Sequence, residues 1–304
     1  MNRLVIGVAA AALIFAASPG VAASFWARAK TPPAPTLTAP VEAAANDALV
    51  AEIETALKEG RRVDATALLN RALLSGGGDP RFMLLLGEAS LTRNDYEGAL
   101  AAFRQVSGDG ATHWRARQGE GLALSILGRS EAAIAALQEA VAKDPGLWRA
   151  WNGLGSEYDR RRDWSRAEAA YGQALRASNG DAWVLNNRGF SRLLQGRSNE
   201  AAADLVNALE KRPDLAAARG NLRLAIALQG EYGRASAKGG GDDPAALLNN
   251  AGFGAILRGD YEKAVALLDQ AGQARGAYYP LASENRKLAL SLKSQAPVGA
   301  GDGN

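Results

Sequence analysis

The sequence predicts an all-α fold, a solenoid of stacked helical hairpins, and three observations predict it. First, alanine recurs at a step of 34 residues, at Ala65, Ala99, Ala133, Ala167, Ala201 and Ala235. Second, Ala72, Val106, Ala140, Ala174 and Ala208 follow seven residues later, with large side chains (Leu69, Phe103, Leu137, Tyr171, Leu205) between the two small positions. Third, glycine keeps the same beat, five residues before the alanine at Gly60, Gly128, Gly196 and Gly230, and twelve before it at Gly87, Gly121, Gly155 and Gly189. Small residues are needed where two helices cross closely, and large ones fill the space beside them. Glycine makes the turn, and Pro145 and Pro213 end two of the second helices. One hairpin cannot bury its apolar face alone, so neighbours must stack.

The elements follow in order. Arg3, the apolar run Leu4 to Ala17 and the small residues Val21-Ala22-Ala23 read as an export signal over residues 1–23. The run is short for a membrane span and Pro19-Gly20 breaks it, but Phe25-Trp26 leaves an uncleaved anchor open. Residues 24–45 are a linker, Pro/Ala/Thr-rich from residue 27, and structure is expected from about Asn46 through residue 294. Six units then run in phase. The sixth, "RGNLRLAIALQGEYGRA", has a normal first helix and a second that should stop near Lys238, before Gly239-Gly240-Gly241-Asp242-Asp243-Pro244. A seventh, centred on Gly252, Tyr261, Ala264, Leu268 and Ala271, comes five residues early. Leu281 to Lys293 reads as a capping helix and residues 295–304 as a disordered Gly-rich tail. The stretches "NNRGFSRLLQG" (186–196) and "NNAGFGAILRG" (249–259), 63 residues apart, are therefore the first helices of units five and seven. They are structural copies.

Composition excludes several classes of function. There is no cysteine and one histidine, His113, which removes disulfides, thiolate chemistry and multi-His or Cys metal sites. No Gly-x-Ser-x-Gly elbow and no phosphate-binding Gly-x-x-x-x-Gly-Lys loop is present. The net charge is only +3 despite a pI near 9.2, so nothing marks a nucleic-acid footprint. The expectation is a non-catalytic chain with no cofactor, no metal and no small-molecule substrate. His113 reads as a solvated loop-edge residue, Arg160-Arg161-Arg162 between Asp159 and Asp163 as a solvated, locally compensated charge run, and Trp151 and Trp164 as structural.

The unit containing Trp151, Leu154, Gly155, Tyr158, Ala167, Tyr171 and Ala174 resembles the tetratricopeptide repeat, and the resemblance covers about residues 46 to 279. It implies a right-handed α-α superhelix of six to seven hairpins, with part of each first helix lining a concave groove for protein partners. On this sequence Asn187, Asn221 and Asn250 occupy one groove position, Asn152, Asn186 and Asn249 the position before it, and Phe190, Leu224 and Phe253 a third. Trp183 opens unit five, while Arg115 and Arg149 share the face in units three and four. An amide offers both donor and acceptor. The asparagines could hold an extended peptide backbone, or bond across to the next hairpin and fix register.

The order of features, from export signal through a curtailed sixth unit to a final cap, resembles the TadD-like component of the tight-adherence (Flp) pilus assembly system. That implies a periplasmic scaffold with a secretin or other pilus-assembly protein as partner. Lipid anchoring, common in that family, does not carry over to a chain without cysteine. The alternative is an envelope chaperone or adaptor for cell-wall or outer-membrane biogenesis.

Overall fold

The computed structural model describes residues 39–74, 78–239, 243–276 and 278–295. The export signal, most of the linker and the tail beyond Gln295 lie outside them. The chain divides into Met1–Glu42 and Ala43–Asn304, and the array occupies the second unit. The described residues hold helices and no strand.

Helices pair in chain order. Repeat 1 is α1 (Ala39–Lys58) with α2 (Arg62–Leu74), and repeat 2 is α3 (Pro80–Thr92) with α4 (Tyr96–Arg104). Repeat 3 is α5 (Ala111–Ile126) with α6 (Ser130–Lys143), and repeat 4 is α7 (Trp148–Arg160) with α8 (Trp164–Ala177). Repeat 5 is α9 (Ala182–Leu194) with α10 (Ser198–Lys211), and repeat 6 is α11 (Ala216–Leu228) with α12 (Tyr232–Ala235). Repeat 7 is α13 (Pro244–Arg258) with α14 (Tyr261–Arg275), and α15 (Pro280–Gln295) closes the array. Helix α1 starts at Ala39, earlier than the expected Asn46. Pro40 falls in the first turn, where its missing N–H costs nothing, and alanines and a glutamate follow.

The 34-residue pattern is the packing code. In repeats 2 to 5 and 7, a side chain at the position twelve before the key alanine would collide with the large residue of the same hairpin. A Cβ on Gly87 would meet Phe103, on Gly121 Leu137, on Gly155 Tyr171, on Gly189 Leu205 and on Gly252 Leu268. Those five residues are buried, as are the alanines Ala99, Ala133, Ala167, Ala201 and Ala264. Between the helices of a pair, Gly128 takes φ +75°, a left-handed conformation that closes the turn. Repeats 2 and 4 lack the glycine, and there Asn94 (φ +59°) and Arg162 (φ +56°) adopt the same conformation.

Repeat 6 breaks the code in a consistent way. Its second helix is one turn, shorter than the sequence suggests. Arg223 stands where repeats 2 to 5 and 7 place glycine, and its Nη2 donates to the Ala237 carbonyl (3.4 Å) in the segment that replaces the missing helix.

First helices of successive repeats lie against each other, α3 on α5, α5 on α7, α7 on α9, α9 on α11, α11 on α13 and α13 on α15. Among the described residues no second helix reaches the second helix of the next repeat. The closely spaced first helices are therefore the inner, concave side, and the second helices fan outward.

Candidate functional site

One stripe of each first helix, at positions i, i+4, i+7 and i+11, shares a face. In repeat 5 it reads Trp183, Asn187, Phe190, Leu194, in repeat 6 Ala217, Asn221, Leu224, Leu228, and in repeat 7 Ala246, Asn250, Phe253, Leu257. The earlier rows differ. Repeat 1 gives Asp47, Ala51, Glu54, Lys58, repeat 2 Arg81, Leu85, Glu88, Thr92, repeat 3 Arg115, Gly119, Leu122, Ile126, and repeat 4 Arg149, Gly153, Ser156, Arg160.

Exposure picks out this stripe. Counting α15 with the first helices, seven of their large apolar side chains are exposed: Ile126, Trp183, Leu194, Leu257, Leu281, Leu288 and Leu290. All but Leu290 fall on the stripe. Trp183 is 45% exposed, with the Arg212 guanidinium stacked 5.5 Å from its ring centre. Phe190 and Leu224 pack partly into the core of repeats 5 and 6, and Phe253 into that of repeats 6 and 7, each keeping part of its surface in the groove.

The asparagines bond across repeats. Asn187 Nδ2 donates to Asn152 Oδ1 (3.0 Å), Asn186 Nδ2 to Asn187 Oδ1 (3.1 Å), and Asn221 Nδ2 to Asn186 Oδ1 (3.0 Å). This continuous relay joins α7, α9 and α11, with Asn186 buried at its centre. A second relay runs from Asn285 Nδ2 to Asn249 Oδ1 (3.0 Å) and from Asn249 Nδ2 to Asn250 Oδ1 (3.3 Å). The register role is thus realised. An amide has capacity for about four hydrogen bonds, so Asn187, Asn221 and exposed Asn250 keep unused donors or acceptors. Between repeats 6 and 7 the relay is interrupted because Gly220 holds the place of Asn186.

Most charges in the rows of repeats 1 to 3 are compensated across repeats. Arg115 pairs with Glu88 (3.0 Å) and reaches toward Glu54 (3.8 Å), so one guanidinium ties the first helices of three repeats. Arg81 pairs with Asp47 (2.6 Å) and Asp79 (2.6 Å). Arg149 is exposed and lies over the Trp148 ring, 4.6 Å from its centre.

Two expectations need correction. The Arg160–Arg162 stretch is not merely solvated: Arg160 pairs with fully buried Glu157, which also accepts from Ser125 and Ser130 (2.6 Å to the latter). Arg161 pairs with Glu131 (3.0 Å). Asp159 accepts from Tyr171 Oη (2.8 Å) and Ser191 Oγ (2.6 Å), linking repeats 4 and 5, and burial raises its carboxyl above the ordinary range, with Glu168 adding to the effect. His113 is half-buried against Trp114, its Nδ1 3.1 Å from the Val106 carbonyl. A polar residue that the fold needs in a gap between hairpins looks the same in sequence as one in water.

Helix α15 was missed as part of the face. Asn285 makes the same backward bond to Asn249 that Asn221 makes to Asn186 and Asn187 to Asn152. Counting from it, Leu281, Asn285, Leu288 and Leu292 form an eighth row. The signal was faint because Asn285 lies 35 residues after Asn250, one off the repeat.

A tetratricopeptide-repeat family model matches residues 50–112 and 119–182. A tetratricopeptide repeat protein from Parabacteroides merdae ATCC 43184 superposes with a TM-score of 0.51 at 14% identity, covering 80% of this chain and 98% of that one. The Cut9-Hcn1 hetero-tetramer of the APC/C gives 0.61 at 18% identity, over 80% of this chain and 49% of the other. The thermophilic repeat protein TTC0263 from Thermus thermophilus gives 0.52 at 21%, over 59% of this chain and 98% of the other. These likenesses show the fold. No curated protein matches the chain. The chain has the fold of a tetratricopeptide-repeat solenoid.

Proposed function

We propose that this chain is a non-catalytic scaffold that grips a partner protein along the concave face of its first helices. The observation that carries the reading is the alignment of exposed apolar side chains, Trp183, Leu194 and Leu257 among them, on the one stripe that faces the groove. A face of this kind left in water is a recognition surface. The solenoid supplies the rigid spacing and the amide relays hold it in register.

The finer reading is an exported scaffold for assembly of a tight-adherence pilus or a related secretion pore, either free in the periplasm or tethered by the apolar run at Leu4–Ala17. Its support is the likeness in the order of features, to which the one-turn α12 and the break after it add. The test is crosslinking in living cells followed by capture from envelope extracts, with Trp183→Ala/Leu257→Ala as the groove variant. Recovery of a secretin or pilus subunit by the wild type and not by the variant is expected. Recovery of cell-wall or outer-membrane biogenesis factors alone removes the pilus reading, and equal recovery by the variant removes the groove.

A further inference from the structure

We infer that the carboxy-terminal half of the groove, repeats 5 to 7 continued by α15, is a site for an uncharged, apolar segment of a partner protein bound in extended conformation. The inference rests on the groove reading and names the chemistry that the groove selects.

The stripe changes character at repeat 5. Each of the first four rows except that of repeat 3 carries at least two residues that are charged or polar, and repeat 3 still opens with Arg115. From repeat 5 onward four consecutive rows read apolar, asparagine, apolar, apolar, without a single charge. The fourth of these rows belongs to α15. Its Leu281 is 53% and its Leu288 43% exposed, although α15 buries Ala282 and Ala289 against repeat 7. A helix that only capped the array would turn polar residues outward on this face, since a terminal element must meet water. Leucine at both positions continues a surface instead of ending it.

The amides decide the conformation of the occupant. An α-helix satisfies its own backbone and offers nothing to a line of amides except side chains. An extended segment presents an unpaired N–H and C=O at every residue. Asn187, Asn221, Asn250 and Asn285 form a line across the apolar rows, each tied by at least one hydrogen bond and with capacity left over. Main-chain recognition by the amides with apolar pockets on either side selects an extended chain of alternating apolar residues. Helices pack at roughly 8–10 Å, so four rows span about 30 Å. About nine extended residues cover that length.

The test is selection of random dodecapeptides displayed on phage against the full chain, alongside a synthetic peptide of residues 4–17. Binding of enriched peptides is then measured by fluorescence anisotropy to wild type, Leu281→Asp/Leu288→Asp, Leu281→Met/Leu288→Met and Arg115→Ala/Arg149→Ala. The altered side chains are exposed, and circular dichroism checks that the helices survive. The inference predicts enrichment of uncharged apolar peptides that gain no helix on binding. Affinity falls at least tenfold in the aspartate variant and stays within twofold of wild type in the methionine and arginine variants. Enriched peptides that are charged and depend on Arg115 and Arg149 would overturn the inference while leaving the groove reading intact. Peptides that bind as helices would overturn the extended mode. Binding of the 4–17 peptide alone, or a dimer by sedimentation that the aspartate variant dissolves, would give the face to the chain itself or to a second copy. Binding indifferent to all three variants would remove both the inference and the groove.

Discussion

Asp159 is the residue where solvation and packing are most directly opposed. It sits between α7, α8 and α9, accepting from Tyr171 and Ser191, and burial holds its carboxyl above the usual range while the two hydroxyls act against that. Burial also raises the Tyr171 phenol, which keeps it a donor. A raised native pKa means that the folded chain binds the proton more tightly than the unfolded chain. Its stability contribution is therefore fully present below the ordinary carboxylate pKa of about 4 and is lost as pH rises through the native value. Asp159→Asn removes the titration but not the shape. The melting temperature of the variant relative to wild type should be greatest at pH 7 and shrink as pH falls toward 4. A difference that is constant or grows in acid would show that Asp159 is not desolvated. The groove asparagines and the aromatics beside them were legible in sequence because they repeat. Asp159 was not, because Ser191 has no place in the spacing pattern, and the beat that puts the Tyr171 ring in the core does not say that its hydroxyl reaches Asp159.

At the scale of elements, the glycine that faces the large core residue in repeats 2 to 5 and 7 is the constraint that sets helix pairing there. Building a Cβ on Gly155 puts it 2.6 Å from the Tyr171 ring. Gly155→Ala should cost about 1–3 kcal/mol in urea unfolding, the usual penalty of overpacking. Gly220, in the middle of α11, has nothing within 4 Å of the same position. Gly220→Ala should therefore stabilise by about 1 kcal/mol through helix propensity alone. Opposite signs for two Gly→Ala changes in first helices are the signature; equal effects would mean that helix pairing does not depend on the close approach. Most pairs of this kind were readable from the 34-residue beat. The full shortness of α12 and the row that α15 adds to the groove face were not: both lie after the beat is broken, where a shift of one to five residues hides the equivalence.

Across the molecule, stability of a solenoid is a sum of repeats and the interfaces between them. Repeat 6 has lost most of one helix, so α13 to α15 are joined to the rest chiefly through α11. Every tryptophan among the described residues, Trp114, Trp148, Trp151, Trp164 and Trp183, lies in α5 to α9. Urea should therefore diminish the helical circular dichroism before it shifts tryptophan emission, since the carboxy-terminal repeats open first. Coincident curves would mean that the array unfolds as one cooperative body.

The central claim is that partners meet the inner face. Photocrosslinking tests it most directly, with benzoylphenylalanine placed in the full chain at position 183 or 288 in the groove, or at position 63 or 206 on second helices. Val63 and Val206 are as exposed as the groove residues, so access alone does not separate the two sets. In the cells that naturally make the chain, positions 183 and 288 should give the same protein adduct, with none at 63 or 206. Adducts at 63 or 206 and none at 183 or 288 would place recognition on the outer face and contradict the account.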